Sequence, residues 1–85
     1  MTQYYVEVRV TPRAGLLDPQ GKAVHGALHS LEFDEVDDVR IGRLIRMRIH
    51  AGSDSDARTR VDAMCKQLLA NPVIEDYTIA MKAVG

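Results

Sequence analysis

The sequence predicts an α+β fold: a two-layer, broadly ferredoxin-like arrangement in the order β-α-β-β-α-β, with an antiparallel sheet and two helices on one face. Three observations carry that expectation. "YYVEVRVT", residues 4–11, alternates strictly, with Tyr4, Val6, Val8 and Val10 on one side and Tyr5, Glu7 and Arg9 on the other; this is the period of a half-buried strand. Two later stretches carry apolar residues at helical spacing behind capping residues. "VIEDYTIAM" returns to period two, with Tyr77, Ile79 and Met81 against Asp76, Thr78 and Ala80. Elements in this order pack as one layer of sheet and one of helix, and right-handed crossovers set the first and third strands side by side.

The first helix is expected from about Pro19 to about Leu31. Asp18 is a good N-cap, because its carboxylate can accept from the unpaired amides of the first turn. Pro19 follows at the position where a missing N–H costs nothing. Val24, Ala27, Leu28 and Leu31 form the apolar stripe. Gly21 and Gly26 stand inside this helix, each weakening it by roughly 1 kcal/mol relative to alanine. A helix that carries glycines at that cost gains close approach of its own backbone to something.

"EVDDVRIGRLIRMRIH" reads as a hairpin turning near Gly42. A two-residue loop would mix the faces. A three-residue loop sets Ile41 opposite Ile45, Val39 opposite Met47 and Asp38 opposite Arg48, which keeps apolar groups together and pairs opposite charges. It also sets Arg40 opposite Arg46, a small cost unless a carboxylate lies near. The second helix opens at Ser53, with Asp56 three residues on as an approximate capping box. Ala57, Val61, Met64, Cys65, Leu68 and Leu69 give it a broad apolar face. Asn71 is suited to a left-handed residue after the last turn, and Pro72 blocks continuation.

Eighty-five residues make one domain, residues 1–85, near the lower limit for a self-sufficient core. A chain this small gains from a partner or from self-association. A formal net charge of −1 argues against a dedicated nucleic-acid binder, which carries a basic excess. No apolar run approaches the ~20 residues that span a bilayer, so no membrane partner is expected. "MTQYYVEVRV" lacks the pattern of a signal peptide. The single cysteine, Cys65, can form neither an internal disulfide nor a multi-thiolate metal site and suits a reducing compartment. The expected location is cytoplasmic.

Chemistry is hard to find in the chain. His25 and His29 are four apart, the spacing of two metal-binding imidazoles, but no acidic residue completes a metalloprotease motif and surface histidines are the simpler reading. Cys65 on an apolar helix face reads as a buried, inert thiol. Arg40, Arg43, Arg46 and Arg48 place positive charge along the hairpin after the acidic Glu32, Asp34, Glu35, Asp37 and Asp38. Arg43, at the expected loop tip, is the best placed to touch a partner. A P-loop, a dinucleotide turn and a nucleophile with its base are all missing from the sequence, which favours an interaction module over an enzyme.

Three segments together, "LLDPQGKAVHGAL", "VDDVRIGRLIRMRI" and "LLANPVIEDYTI", resemble the PurS-type small subunit of phosphoribosylformylglycinamidine synthase across nearly the whole chain. Two positions depart from that family's usual pattern: Gly42-Arg43 stands for Gly-Lys, and Glu32 stands for the glycine after the first helix. The resemblance implies a subunit with no active site of its own. It would assemble with a large synthetase subunit, which holds the ATP and Mg, and with a glutaminase subunit, which releases ammonia with its own cysteine. The complex makes formylglycinamidine ribonucleotide in de novo purine synthesis, and the small subunit would bridge its partners and protect ammonia transfer. The resemblance also implies a dimer or dimer of dimers, with sheets joined across protomers. No catalytic, cofactor or metal residue is expected in this chain. The interface candidates are Asp18, Pro19, Gly21, Gly26, Gly42, Arg43, Asn71, Pro72, Glu75 and Tyr77. A rival reading is a stand-alone ferredoxin-like regulatory domain binding a small ligand between protomers.

Overall fold

The structure, a computed structural model, describes residues 1–15 and 18–84. Leu16 and Leu17 of the "LLDPQG" segment lie outside the described residues. The elements are β1 (Thr2–Pro12), α1 (Pro19–Ser30), β2 (Arg43–Ala51), α2 (Asp54–Met64), a π-helical turn continuing α2 (Cys65–Leu69), and β3 (Glu75–Val84). The sheet is antiparallel in the order β2-β1-β3. The expected α+β class, antiparallel sheet and pair of helices are all present, and the strand after Gly42 lies beside β1 as the crossover argument requires.

The alternation in β1 does what its period demands. Tyr4, Val6, Val8 and Val10 are buried; across the ladders they meet Ile49, Met47, Ile45 and Arg43 on β2 and Ala83, Met81, Ile79 and Tyr77 on β3. One face of three strands is therefore apolar, and α2 lies on it with Ala57, Val61 and Cys65 fully buried. Ser53 caps α2, its Oγ accepting from the Asp56 amide at 3.1 Å. The other sheet face carries Tyr5, Glu7, Arg9, Arg46 and Arg48, all open to solvent or nearly so.

Several details differ from the sequence reading. Residues 36–41, expected as the first arm of a hairpin, have no strand partner among the described residues, so one chain's sheet has three strands. The reason lies in α1, which binds this segment itself. The Asp18 carboxylate accepts from the Ile41 amide at 3.0 Å, and both His25 Nε2 and His29 Nε2 donate to the Val36 carbonyl, at 3.0 and 2.8 Å. Leu68, expected on the buried face of the second helix, is 83% exposed. The π turn, closed by Ala70 N–H donating to Cys65 O at 3.0 Å, adds a residue to the repeat and turns Leu68 outward. The left-handed residue expected at Asn71 stands instead at Glu32, with φ 72°, where it ends α1.

The largest departure concerns α1. It has no extensive packing against the sheet or α2. Its stripe is open: Val24 is 40% and Leu31 67% exposed. The radius of gyration, 16.5 Å, exceeds the roughly 12 Å of a compact chain of this length. Principal extents of 52 × 27 × 14 Å describe a packed body with a projecting arm.

Candidate partner interface

Most of the candidate residues converge at the end of the sheet where β1 finishes and β2 and β3 begin. Asp18 holds the root of the arm. One carboxylate oxygen accepts from Gly21 N–H at 3.0 Å and the other from Ile41, so the cap closes the helix and ties down the following segment. These two amides, Gly21 first, hold the Asp18 carboxyl below its ordinary range. Pro19 opens the helix beside it. Gly21 is buried, and a Cβ there would run into the Val39 carbonyl and the Asp18 carboxylate; the close approach expected from the sequence is real at this glycine. Gly26 is different, since a Cβ there would meet nothing within 4 Å. Gly42 has no room for a Cβ because the Val10 carbonyl and Thr11 press against it.

Arg43 is no free loop tip. From the edge strand its guanidinium reaches across β1 to Glu75, with Nη1 donating to Oε2 at 2.7 Å and Nη2 to Oε1 at 3.1 Å. Nη2 also donates to Leu69 O at 2.6 Å, fastening the end of the π turn. Glu75 Oε1 accepts in addition from Asn71 N–H at 2.7 Å. Arg43 and then the Asn71 amide hold the Glu75 carboxyl below the usual carboxylate range. A lysine could not make this fork, so the departure from Gly-Lys has a geometric use.

Asn71 folds the turn into β3: its Oδ1 accepts from Val73 N–H at 3.1 Å, and its carbonyl accepts from Ile74 and Glu75 at 3.1 and 2.8 Å. Arg13, which the sequence reading missed, braces the same turn. Its guanidinium donates to Pro72 O and pairs with Asp76 at 3.3 Å, while its amide donates to Ile74 O at 3.0 Å. The turn thus presents Val73 and Ile74, 74% and 48% exposed, on a rigid mount. Tyr77 sits apart, under α2, donating to Asp62; that bond and then burial push its hydroxyl up to about 12. Desolvation raises the Cys65 thiol, as befits an inert core cysteine. Among the described residues, no group of three or more His, Cys, Asp or Glu side chains is placed to hold a metal ion.

The arrangement is one clamped junction carrying one uncovered arm. Comparison with known proteins gives it a family. A sequence profile described as PurS, phosphoribosylformylglycinamidine (FGAM) synthase, matches residues 5–83. The chain belongs to the PurS family. It is 48% identical over 81 residues to phosphoribosylformylglycinamidine synthase subunit PurS of Bacillus subtilis, covering 95% of both chains. The structure of Bacillus subtilis PurS superposes with a TM-score of 0.82 at 47% identity, over 93% of this chain and 98% of that one. A chain in the structure of PurLQS from Thermotoga maritima superposes with a TM-score of 0.87 at 27% identity, over 96% and 100% of the two chains. The PurS family resemblance read from the three motifs therefore holds along nearly the whole chain.

Proposed function

We propose that this chain is the small assembly subunit of a PurLQS-type FGAM synthase in purine biosynthesis. It self-associates and bridges a synthetase subunit, where ATP and Mg act, to a glutaminase subunit that supplies ammonia. Its part is to hold the two active sites in register so that ammonia passes between them, with no chemistry of its own. The observation that carries this reading is the projecting α1. A helix with an exposed apolar stripe is unfavourable in water and is stabilised when another surface covers it. Family membership supplies the partners: the Thermotoga maritima relative is seen in PurLQS.

The test is reconstitution with the cognate synthetase and glutaminase subunits. Glutamine-dependent synthesis of formylglycinamidine ribonucleotide should require this chain, whereas synthesis from free ammonia should proceed without it. Equal loss of both rates on omission would assign the chain a role in the synthetase step instead. No change in either rate, with no complex formed, would remove the proposal.

A further inference from the structure

α2 covers one face of the sheet and leaves the other bare. That bare face carries a surplus of positive charge, although the chain as a whole has a formal net charge of −1. We propose that it docks an acidic helix of a partner subunit, with carboxylates one turn apart set along Arg46 and Arg48 and an apolar side packed on Tyr5. This rests on the assembly role proposed above and specifies a surface and the chemistry it selects.

The ladders fix the composition of the face. Tyr5 lies between Arg48 and Lys82, Glu7 between Arg46 and Ala80, and Arg9 between Leu44 and Thr78; residues paired across strands share a face. Glu7 is already engaged, its carboxylate pairing with Arg46 at 3.3 Å and with Arg9 at 3.6 Å. Asp76, at the far end, is held by Arg13. Arg48 and Lys82 form no ion pair among the described residues, and the tyrosine they flank is 48% exposed. A tyrosine standing among arginines is the composition of a protein-binding hot spot. Thr78 and Ala80 keep the β3 side of the face low, while Tyr5, Glu7, Arg46 and Arg48 line an open cleft on the β2 side.

Spacing and charge select the occupant. Arg46 and Arg48 are two positions apart on one strand, about 6.7 Å. That is close to the roughly 5–6 Å between side chains three or four apart on a helix. A helix is the element that covers an open sheet face in layered folds, and guanidinium groups take carboxylates in a two-bond fork. A second copy of this chain does not offer such a helix. The acids of α2 are Asp54, Asp56 and Asp62, none of them three or four apart, and α1 has none. An extended polyanion such as RNA fits less well. Glu32, Asp34, Glu35, Asp37 and Asp38 give the arm the opposite charge, and a face with one aromatic residue is a poor platform for stacked bases.

The experiment measures binding of the full chain to the cognate synthetase and glutaminase subunits, separately and together. Affinity for one of them should fall severalfold between low salt and about 0.3 M NaCl. Arg48→Glu with Lys82→Glu should lower the same affinity by about tenfold or more at low salt. Tyr5→Ser should weaken it without changing its salt dependence. A photo-reactive phenylalanine analogue in place of Tyr5 should crosslink to a helix bearing acids one turn apart, and a crosslink to a loop or strand would overturn the helical occupant. If the charge-reversed protein does not fold, Arg48→Gln with Lys82→Gln decides, with a smaller loss in the same direction. Wild-type affinity in these variants, with the complex still forming, would overturn the docking face and leave the assembly role standing. A loss confined to self-association would give the face to a second copy. Binding of a single-stranded RNA that the same reversal abolishes, with subunit affinity intact, would give it to nucleic acid. Either result overturns the proposal. A wild-type chain that binds neither subunit would overturn the assembly role as well.

Discussion

The sheet with α2 and the arm made of α1 and residues 31–41 are stabilised by different means, although they belong to one short chain. The first region buries Val6, Val8, Val10, Val61 and Cys65 almost completely, and each such valine contributes about 1.5–3 kcal/mol by leaving water. The second buries Gly21 and no other residue of α1; it is held by polar contacts from Asp18, His25 and His29. A core survives on its own, whereas polar ties that water can replace hold a helix only loosely. The difference teaches that apolar burial holds the sheet and α2, while α1 keeps an apolar stripe open to solvent and depends on its polar ties.

The contrast breaks most sharply at Val61, which is fully buried between α2 and the sheet. Val61→Ala should cost about 2–3 kcal/mol of unfolding free energy, from lost burial and the cavity left behind. The urea midpoint of the dilute protein is the measurement. A cost below 1 kcal/mol would mean that the sheet and α2 do not form the main core.

The arm answers to a different substitution. Gly21→Ala forces a methyl against the Val39 carbonyl and should cost about 1–3 kcal/mol, read as faster amide exchange in α1 and 36–41 with the sheet unaffected. Gly26→Ala, where the space is open, should instead stabilise α1 by up to roughly 1 kcal/mol. Equal effects at the two glycines would erase the distinction between them. A smaller effect is expected at Glu32, which ends α1 in the left-handed region without the freedom of glycine. Glu32→Gly should raise arm stability by about 1 kcal/mol, again by exchange protection.

Legibility in the sequence divides along the same line. β1, both N-caps and β3 could be read because their residues are satisfied locally or by strands of the same chain. Tyr4 through Val10 announce a strand, and Asp18-Pro19 announces a helix start. The hairpin at Gly42 is not formed among the described residues because Asp18, His25 and His29 bind residues 36–41 instead, ties that periodicity does not report. Leu68 was misread because a π turn shifts the helical repeat without a residue-level signature. The junction was half legible. Asn71, Pro72 and Glu75 stood out as a motif, but the Arg43–Glu75 fork spans 32 positions and Arg13 reaches Pro72 across 59, beyond any local pattern. The left-handed site that ends α1 was not legible, because Glu32 stands there and a glycine or asparagine is the usual signal of such a position.

The smallest effect is expected at the junction itself, and it separates the two regions by pH. Glu75 ionises more readily folded than unfolded, first because of Arg43 and then because of the Asn71 amide. A carboxylate with a lowered folded pKa contributes stability above its ordinary value, here 4.5, and that contribution is lost as pH falls through the lowered value. Asp18 behaves likewise from 3.8 downward, and so does Asp62 on α2, held low first by the Tyr77 hydroxyl; the junction, the root of the arm and the α2–β3 contact therefore all weaken in acid, while the buried valines do not titrate. Acid should therefore release the arm before the sheet, seen as α1 amide exchange rising at a pH where the core amides remain protected. Glu75→Gln should flatten the acid slope of global stability without removing it, since Asp18 and Asp62 still titrate, and Glu75→Gln with Asp18→Asn should flatten it further, leaving the part that Asp62 carries. The effect is modest because Arg43 is partly exposed and solvent screens the pair. An unchanged slope in the double variant would place the acid sensitivity elsewhere and detach the junction from the arm it is built to carry.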